Sequence, residues 1–400
     1  METTIAQLKK EVKEVLTTNI LPYWMEKMTD RQHGGFYGRI TGQELLIPEA
    51  EKGAILNARI LWTFSSAYRL LHKAEYLETA TRAKREIIDR FYDREFGGIY
   101  WSITAEGYPL DTKKQIYAIG FAIYGLSEYH RVTGDSEALE YAIRLFHDIE
   151  AHSFDQKKNG YCEALTREWG EIADMRLSEK DANERKTMNT HLHILEPYAN
   201  LFRVWKDGQL EARLRNLIRL FIDRIMDVDT HHLQLFFDDD WESQYHTISY
   251  GHDIEASWLL HEATMVLDDK KLLVEIEPYI IDIAEAATEG FLPQGGMMYE
   301  LHADTAAVDA DRHWWVQAET IVGYINLYQH FGDKLSLARA MQCWQFVKQH
   351  LIDHKNGEWY WSLRTNGSVN RDDDKAGFWK CPYHNGRMCM EIIERYSNIG

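Results

Sequence analysis

Four segments far apart in this 400-residue chain bring together side chains that take up, hold or release protons. They are Met188-Asn189-Thr190-His191-Leu192-His193, Tyr250-Gly251-His252-Asp253-Ile254-Glu255, His313-Trp314-Trp315-Val316-Gln317-Ala318-Glu319 and Trp379-Lys380-Cys381-Pro382-Tyr383-His384-Asn385-Gly386-Arg387. Asn57, Arg59 and Tyr117 stand at comparable places earlier in the chain. Histidine titrates near neutral pH, so a set of converging histidines suits general acid–base work. On a helix, Asn189 and His193 at i and i+4 share a face, whereas His191 projects about 200° away from His193. His252 and Glu255 at i and i+3 can also meet, so Glu255 is expected to orient His252 and stabilise its protonated form; an acid in a first helical turn is favoured by the helix dipole as well.

With Arg59 to hold an oxyanion and Trp314, Trp315 and Trp379 to offer flat apolar faces, these residues suit proton abstraction beside a sugar carbonyl. The ring opens, a base takes the C2 proton, and a cation holds the enediolate oxygen. Reprotonation on the same face restores the substrate, on the opposite face it yields the C2 epimer, and at C1 it yields the ketose. Epimerisation therefore requires bases on both sides of one carbon. A glycoside hydrolase would instead need two carboxylates flanking a bond, for which Glu255 and Glu319 are the candidates. A non-catalytic sugar-binding protein would account for the aromatics and leave the histidines without a task.

Other chemistries lack their signatures. There is no GxGxxG or GxxxxGK[ST] phosphate cradle and no GxSxG nucleophile elbow. His261-Glu262 is not followed by a second histidine in zincin spacing, and Asp238-Asp239-Asp240 lacks the rest of a calcium loop. Cys162, Cys343, Cys381 and Cys389 are too few for a disulfide framework and sit in no zinc spacing. No local ligand pair anchors a metal.

The elements that must position these residues follow from an internal repeat. Gly34-Gly35-Phe36-Tyr37 recurs as Gly97-Gly98-Ile99-Tyr100, Asn159-Gly160-Tyr161, Gly295-Gly296-Met297-Met298-Tyr299 and Asn356-Gly357-Glu358-Trp359. The second glycines, at 35, 98, 160, 296 and 357, are 63, 62, 136 and 61 residues apart, and the strand-like Leu233–Phe237 fills the double gap. Six units thus occupy the chain, each with a tight turn entering a short strand. Helical periodicity between them predicts twelve helices, near 4–28, 51–73, 77–93, 113–133, 136–152, 187–206, 210–227, 252–268, 270–289, 312–332, 335–353 and 383–398. Short polar turns alternate with long glycine-aromatic loops, so all six long loops fall at one end. The expected architecture is an all-α (α/α)6 barrel, one domain over 1–400, with short β-hairpin elements in the long loops of one face. The starts of the even-numbered helices, where the proton-handling residues lie, then ring its opening.

Composition narrows the partners. With 45 Lys+Arg against 63 Asp+Glu, the net charge of −18 disfavours nucleic acid and anionic membrane. The amphipathic start METTIAQLKKEVKEVL lacks the apolar core of a signal peptide, and no run of 18 apolar residues exists, so a cytoplasmic location is expected. The 13 Trp and 22 Tyr suit a cleft for a flat ligand or wide gaps between helices.

Over essentially its whole length the chain resembles the cellobiose 2-epimerases of the N-acylglucosamine 2-epimerase superfamily. The resemblance is carried by Ser249–Ala256, Trp314–Glu319 and, above all, Trp379–Met388. It implies an (α/α)6 barrel acting on the reducing-end hexose of a β-1,4-linked disaccharide, with no metal or nucleotide cofactor. Residue by residue, it implies that His252 and His384 remove and return the C2 proton. His193 would assist ring opening or hydrogen-bond the substrate, Arg59 would hold the oxygens of the open-chain sugar and its cis-enediolate, and Glu255 would tune His252. Trp315 and Trp379 would stack on the sugar rings, Trp314 would join them in binding substrate, and Tyr117, Asp181 and Asn189 would supply polar contacts. A mannose-isomerase type of aldose–ketose isomerase on the same barrel is the nearest alternative. A monomer or weak homo-oligomer is expected.

Overall fold

The positions that face inward along the chain alternate between one-sided and all-round apolar helices, and the computed structural model shows what that alternation builds. It describes residues 2–398; Met1, Ile399 and Gly400 of the 1–400 domain assignment lie outside the described residues. Among the described residues twelve helices form. α1 runs Glu2–Val15 and continues through a π-turn at Leu16–Ile20 into Leu21–Lys27. α2 is Ala54–Leu71, α3 is Ala74–Glu86 with a π-turn at Ile87–Phe91, α4 is Ile116–Thr133 and α5 is Ser136–His152. α6 is Met188–Val204, α7 is Gly208–Leu220 with a π-turn at Phe221–Ile225, and α8 is Tyr250–Val266. α9 is Lys270–Ala286, α10 Trp314–Phe331, α11 Lys334–His350 and α12 Tyr383–Arg395. The expected twelve are all present, with ends that coincide or are displaced by up to three residues.

Even-numbered helices are buried almost throughout; in α2 every residue from Ala54 to Ala67 is buried. Odd-numbered helices bury a stripe only, as α1 does with Ile5, Leu8, Val12 and Leu16 at helical spacing. The first kind forms the inner ring: α2 packs on α4, α4 on α6, α6 on α8, α8 on α10, α10 on α12, and α12 back on α2. Each outer helix packs against the inner helix preceding it, and α1 completes the ring by packing on α12. The short connections start outer helices cleanly. Asp135, Asp207, Asp269 and Asp333 each accept backbone N–H bonds as N-caps, and Gly134 and Gly332 close the preceding inner helices in the left-handed conformation.

The long loops gather at the other end. Six equivalent bridges close the glycine-aromatic turns, joining Thr29 to Phe36, Tyr92 to Ile99, Phe154 to Tyr161, Met226 to Leu233, Phe291 to Met297 and Ile352 to Trp359. The missing unit is therefore where expected, but its turn is His231-His232, with His231 in the left-handed region that glycine or asparagine holds elsewhere. The last unit uses Gly357-Glu358 rather than Asn356-Gly357 as its left-handed pair. Glycine at the second position of the first turn is required by space: a Cβ on Gly35 would lie 2.4 Å from the Glu86 carboxyl carbon. Two-residue strands entering the inner helices pair antiparallel with the next unit's loop, as Lys52–Gly53 does with Ser102–Ile103 and Arg312–His313 with Ser362–Leu363. Ile40 bridged to Ala376 seals the first unit to the last. Among the described residues no helix is long and apolar enough to cross a membrane.

Candidate active site

Because the inner helices begin in register, the same turn of each reaches the axis of the ring. Arg59, Phe121, His193, Glu255 and Glu319 are each the sixth residue of α2, α4, α6, α8 and α10, and Arg387 is the fifth of α12. Above them opens a cavity of about 510 Å³. Eleven of the candidates read from the sequence line it: Arg59, Tyr117, Asp181, Asn189, His193, His252, Glu255, Trp314, Trp315, Trp379 and His384; Asn57 and Glu319 are not in its wall.

His252 and His384 stand on α8 and α12, the two neighbours of α10. The Trp315 indole of α10 touches both, its centroid 4.8 Å from the His252 ring and 5.6 Å from the His384 ring. Nδ1 of His252 shares a 2.8 Å hydrogen bond with Ser249 Oγ. Burial, then the nearby His193, holds this imidazole down at about 3, so it is neutral at pH 7. Nδ1 of His384 lies 2.7 Å from Glu319 Oε1. Burial and the Arg59 and Arg387 guanidiniums hold His384 well below the ordinary imidazole range. In each ring the Nδ1 contact leaves Nε2 as the nitrogen for chemistry.

Glu255 differs from expectation. Its Oε1 accepts from Arg387 Nη2 at 2.7 Å and lies 3.9 Å from His384 Nδ1. It therefore belongs to the His384 side, and His252 takes Ser249 as its partner instead. Glu255 and Glu319 each accept from Arg387 Nη2 at 2.7 Å, while Nη1 of the same residue donates to Glu196 and Tyr383. Burial and the Glu319 charge push the Glu255 carboxyl well above the usual carboxylate range, against the pull of Arg387. Glu196 is driven upward by burial, but Arg387 and His193 outweigh this and keep it ionised at about 2. Its Oε2 lies 3.1 Å from His193 Nδ1.

The fold brings Glu255, Glu319 and His384 into one metal-capable group that no sequence spacing announced. Arg387 sits among them, and its guanidinium already supplies the positive charge the carboxyls need.

Arg59 donates from Nη2 to Tyr117 Oη at 2.7 Å, lies 4.2 Å from the Phe121 ring centroid, and keeps its charge, while its buried Nε has no partner. The Arg59 side chain lines the cavity and carries its charge to the wall beside Tyr117, with Nη1 3.7 Å from Cys381 Sγ. Asn189 Oδ1, like Arg59 Nε, is buried and unpartnered. Asp181 accepts from Ser178 N at 2.9 Å and Ser178 Oγ at 3.0 Å, which fixes it in the wall formed by the 176–182 segment. Trp379 contacts Trp101, Phe378 and Tyr117, and Trp314 packs on Trp361 at 4.6 Å. His191 turns away as its helical position requires, accepting Tyr161 N–H at 2.9 Å.

Sequence reading overlooked Glu196 and Tyr383 as parts of the site and weighed Glu319 only as a hydrolytic acid. Glu319 had a usable signal, since it occupies the same helical position as Glu255. Glu196 lies one turn deeper on α6, where the repeat carries no comparable residue to point at it.

A family model described as N-acylglucosamine 2-epimerase (GlcNAc 2-epimerase) matches residues 35–386. The cellobiose 2-epimerase of Bacteroides fragilis is 70% identical over 386 residues, covering 96% of this chain and 98% of that protein. The solved cellobiose 2-epimerase of Bacillus thermoamylovorans B4167 superposes with a TM-score of 0.92 at 42% identity, covering 97% of this chain and 99% of that one. That of Spirochaeta thermophila DSM 6192 gives a TM-score of 0.93 at 38% identity, covering 99% and 98%.

Proposed function

The chain belongs to the N-acylglucosamine 2-epimerase family, and from that premise we propose how it epimerises C2 of the reducing-end hexose in β-1,4-linked disaccharides. The pyranose opens as its ring oxygen gains a proton and the anomeric hydroxyl loses one, with His193 beside the reacting end. Arg59, whose side chain lines the cavity, holds the carbonyl and C2 oxygens. One imidazole of the His252–His384 pair takes the C2 proton, and the electron pair passes into C1–C2, leaving the negative charge on O1. Rotation about C2–C3 exposes the other face of C2. The other imidazole, protonated at this stage, returns a proton there, and ring closure completes the reaction.

The observation that carries this reading is that His252 and His384 flank Trp315 from two helices, each with Nδ1 engaged. Their neutral state supports the base role. The raised Glu255 carboxyl, 3.9 Å from His384 Nδ1 and beside the His384–Glu319 contact, supports the acid role by placing a proton source next to that imidazole. Glu255 and Glu319 do not flank a bond as hydrolytic carboxyls must; both are bound to one guanidinium nitrogen. Trp314, Trp315 and Trp379 serve as platforms for the two sugars, with Tyr117, Asp181 and Asn189 as their polar contacts. A cytoplasmic, monomeric or weakly associating enzyme is the setting this reading adopts, and the four buried free thiols support it.

NMR of cellobiose, and separately of β-1,4-mannobiose, in D2O with the protein tests the reading. The expected product is the C2 epimer carrying deuterium at C2, and the faster substrate identifies the preferred sugar. Ketose would establish an aldose–ketose isomerase, released monosaccharide a hydrolase, and an unchanged sugar would overturn epimerisation of these disaccharides.

A further inference from the structure

Glu163, directly before the strand Ala164–Leu165, is buried at the cavity wall and has no part in the proton chemistry above. Its Oε2 accepts from Thr187 Oγ1 at 2.7 Å, and its Oε1 accepts from Thr190 Oγ1 at 2.7 Å and Gln115 Nε2 at 3.4 Å. Gln115 Nε2 also donates to Met175 O at 3.0 Å, and the Glu163 backbone N–H donates to Arg185 O at 2.9 Å. Met175 and Arg185 are the two ends of the segment whose middle, Arg176 to Ala182, walls the cavity. Within that segment Asn183 Oδ1 accepts Met175 N–H at 2.9 Å, so its ends are also tied to each other.

Resting on the disaccharide reading above, we infer that Glu163 is a positioning residue. It clamps the start of α6 to both ends of the 175–185 segment and so sets how tightly the sugar distal to the reacting carbon is held. Among the described residues the side-chain hydrogen bonds of Glu163 go to Thr187, Thr190 and Gln115 and not to the proton-transfer groups, so the effect falls on binding rather than on turnover.

The clamp responds to pH. Burial, with Asp181 adding to it, pushes the Glu163 carboxyl up to about 7. Asp181 is the charged group facing it from the segment; α6 offers only the Thr187 and Thr190 hydroxyls, and the entering strand offers the Gln115 amide. Glu300 bears on Asp181 from the far side of the cleft, Cys162 beside Glu163 stays a thiol, and Lys186 is turned to Asp155 and Asp239. A carboxyl raised in the fold is compatible with its surroundings when protonated, and that compatibility is lost as pH rises through its folded value. Ionisation above about pH 7 therefore places a charge in a wall where burial first, and Asp181 after it, outweigh the Thr190, Thr187 and Gln115 hydrogen bonds that favour it, and so loosens the segment.

The test compares wild type with Glu163→Gln and Glu163→Ala, using the reduced disaccharide alcohol, which has no carbonyl and cannot react. Calorimetry should show the wild-type Kd weakening about threefold or more between pH 6.5 and 8.5, while E163Q stays flat. E163A should bind about tenfold more weakly, keep kcat within about twofold on the reactive sugar, and speed amide exchange at residues 176–183. Equal pH dependence in E163Q, or a fall in kcat at unchanged Kd, overturns the inference. If E163A fails to fold, the E163Q pH profile decides. A wild type that binds the alcohol but turns over no disaccharide counts against the proposed function and leaves the clamp standing on its binding data.

Discussion

His384 and Glu319 are joined at 2.7 Å between Nδ1 and Oε1, across two neighbouring helices of the inner ring. The contact fixes which imidazole nitrogen is engaged and aims the other into the cavity. Because Glu319 also accepts from Arg387 at 2.7 Å, its own position is fixed from a third direction. Glu319→Gln keeps the shape and removes the charge. It is expected to lower kcat by about 10²-fold, the range of a misplaced acid–base group, with KM within about twofold. Steady-state kinetics on the disaccharide check this; a KM effect alone would make Glu319 a binding residue.

The pH behaviour of His252 follows from its burial. A depressed imidazole keeps its neutral form as pH falls through 6.5 and loses it only on approach to about 3. Nitrogen-15 shifts of the His252 ring are thus expected to show no titration between pH 8 and pH 5. His193→Asn removes a neighbour whose cationic form opposes the His252 cation, so it moves the His252 midpoint upward. A wild-type midpoint near 6.5 would contradict the assignment.

Gly251 makes room for Trp315. A Cβ at that position would lie 2.7 Å from Trp315 Cη2 and 2.8 Å from Val316 Cγ2. Gly251→Ala is expected to push the indole off the two histidines and cut kcat at least about tenfold. The overpacking should cost about 1–3 kcal/mol of stability. Kinetics paired with a denaturation curve separate the two effects.

Arg387 is the cation held against three buried carboxyls, Glu196, Glu255 and Glu319. Arg387→Met leaves them without a counter-ion and is expected to destabilise the fold by about 3–5 kcal/mol, measured by urea denaturation. A loss below about 1 kcal/mol would show that the cluster relaxes by protonation.

Much of this was legible because the barrel repeats. Arg59, His193 and Glu255 share one helical position, and His252 shares the opening of its helix with His384, so spacing along the chain translated into convergence in space. The Glu255 partner was misread for a physical reason. The i, i+3 relation says only that His252 and Glu255 can meet, and it is blind to Arg387 arriving from α12 to take the carboxylate. Glu196 and Tyr383 were invisible for the same reason, since their contact crosses the ring between α6 and α12. The fourth turn, His231-His232, escaped the glycine pattern because His232 is held by Asp253 Oδ2 at 2.7 Å rather than by backbone freedom alone. The 171–185 wall has no periodicity to read; its shape comes from Ser178, Asp181 and Asn183 bonding within the loop.

The central claim is that His252 and His384 act on opposite faces of one carbon. Deuterium incorporation at C2, followed in D2O from each pure epimer with His252→Asn and His384→Asn, tests it most directly. Each variant should lose epimer formation by about 10³-fold or more. Any residual exchange should be confined to one epimer, and to a different one in each variant. A single variant that still interconverts the epimers at the wild-type rate would contradict the account.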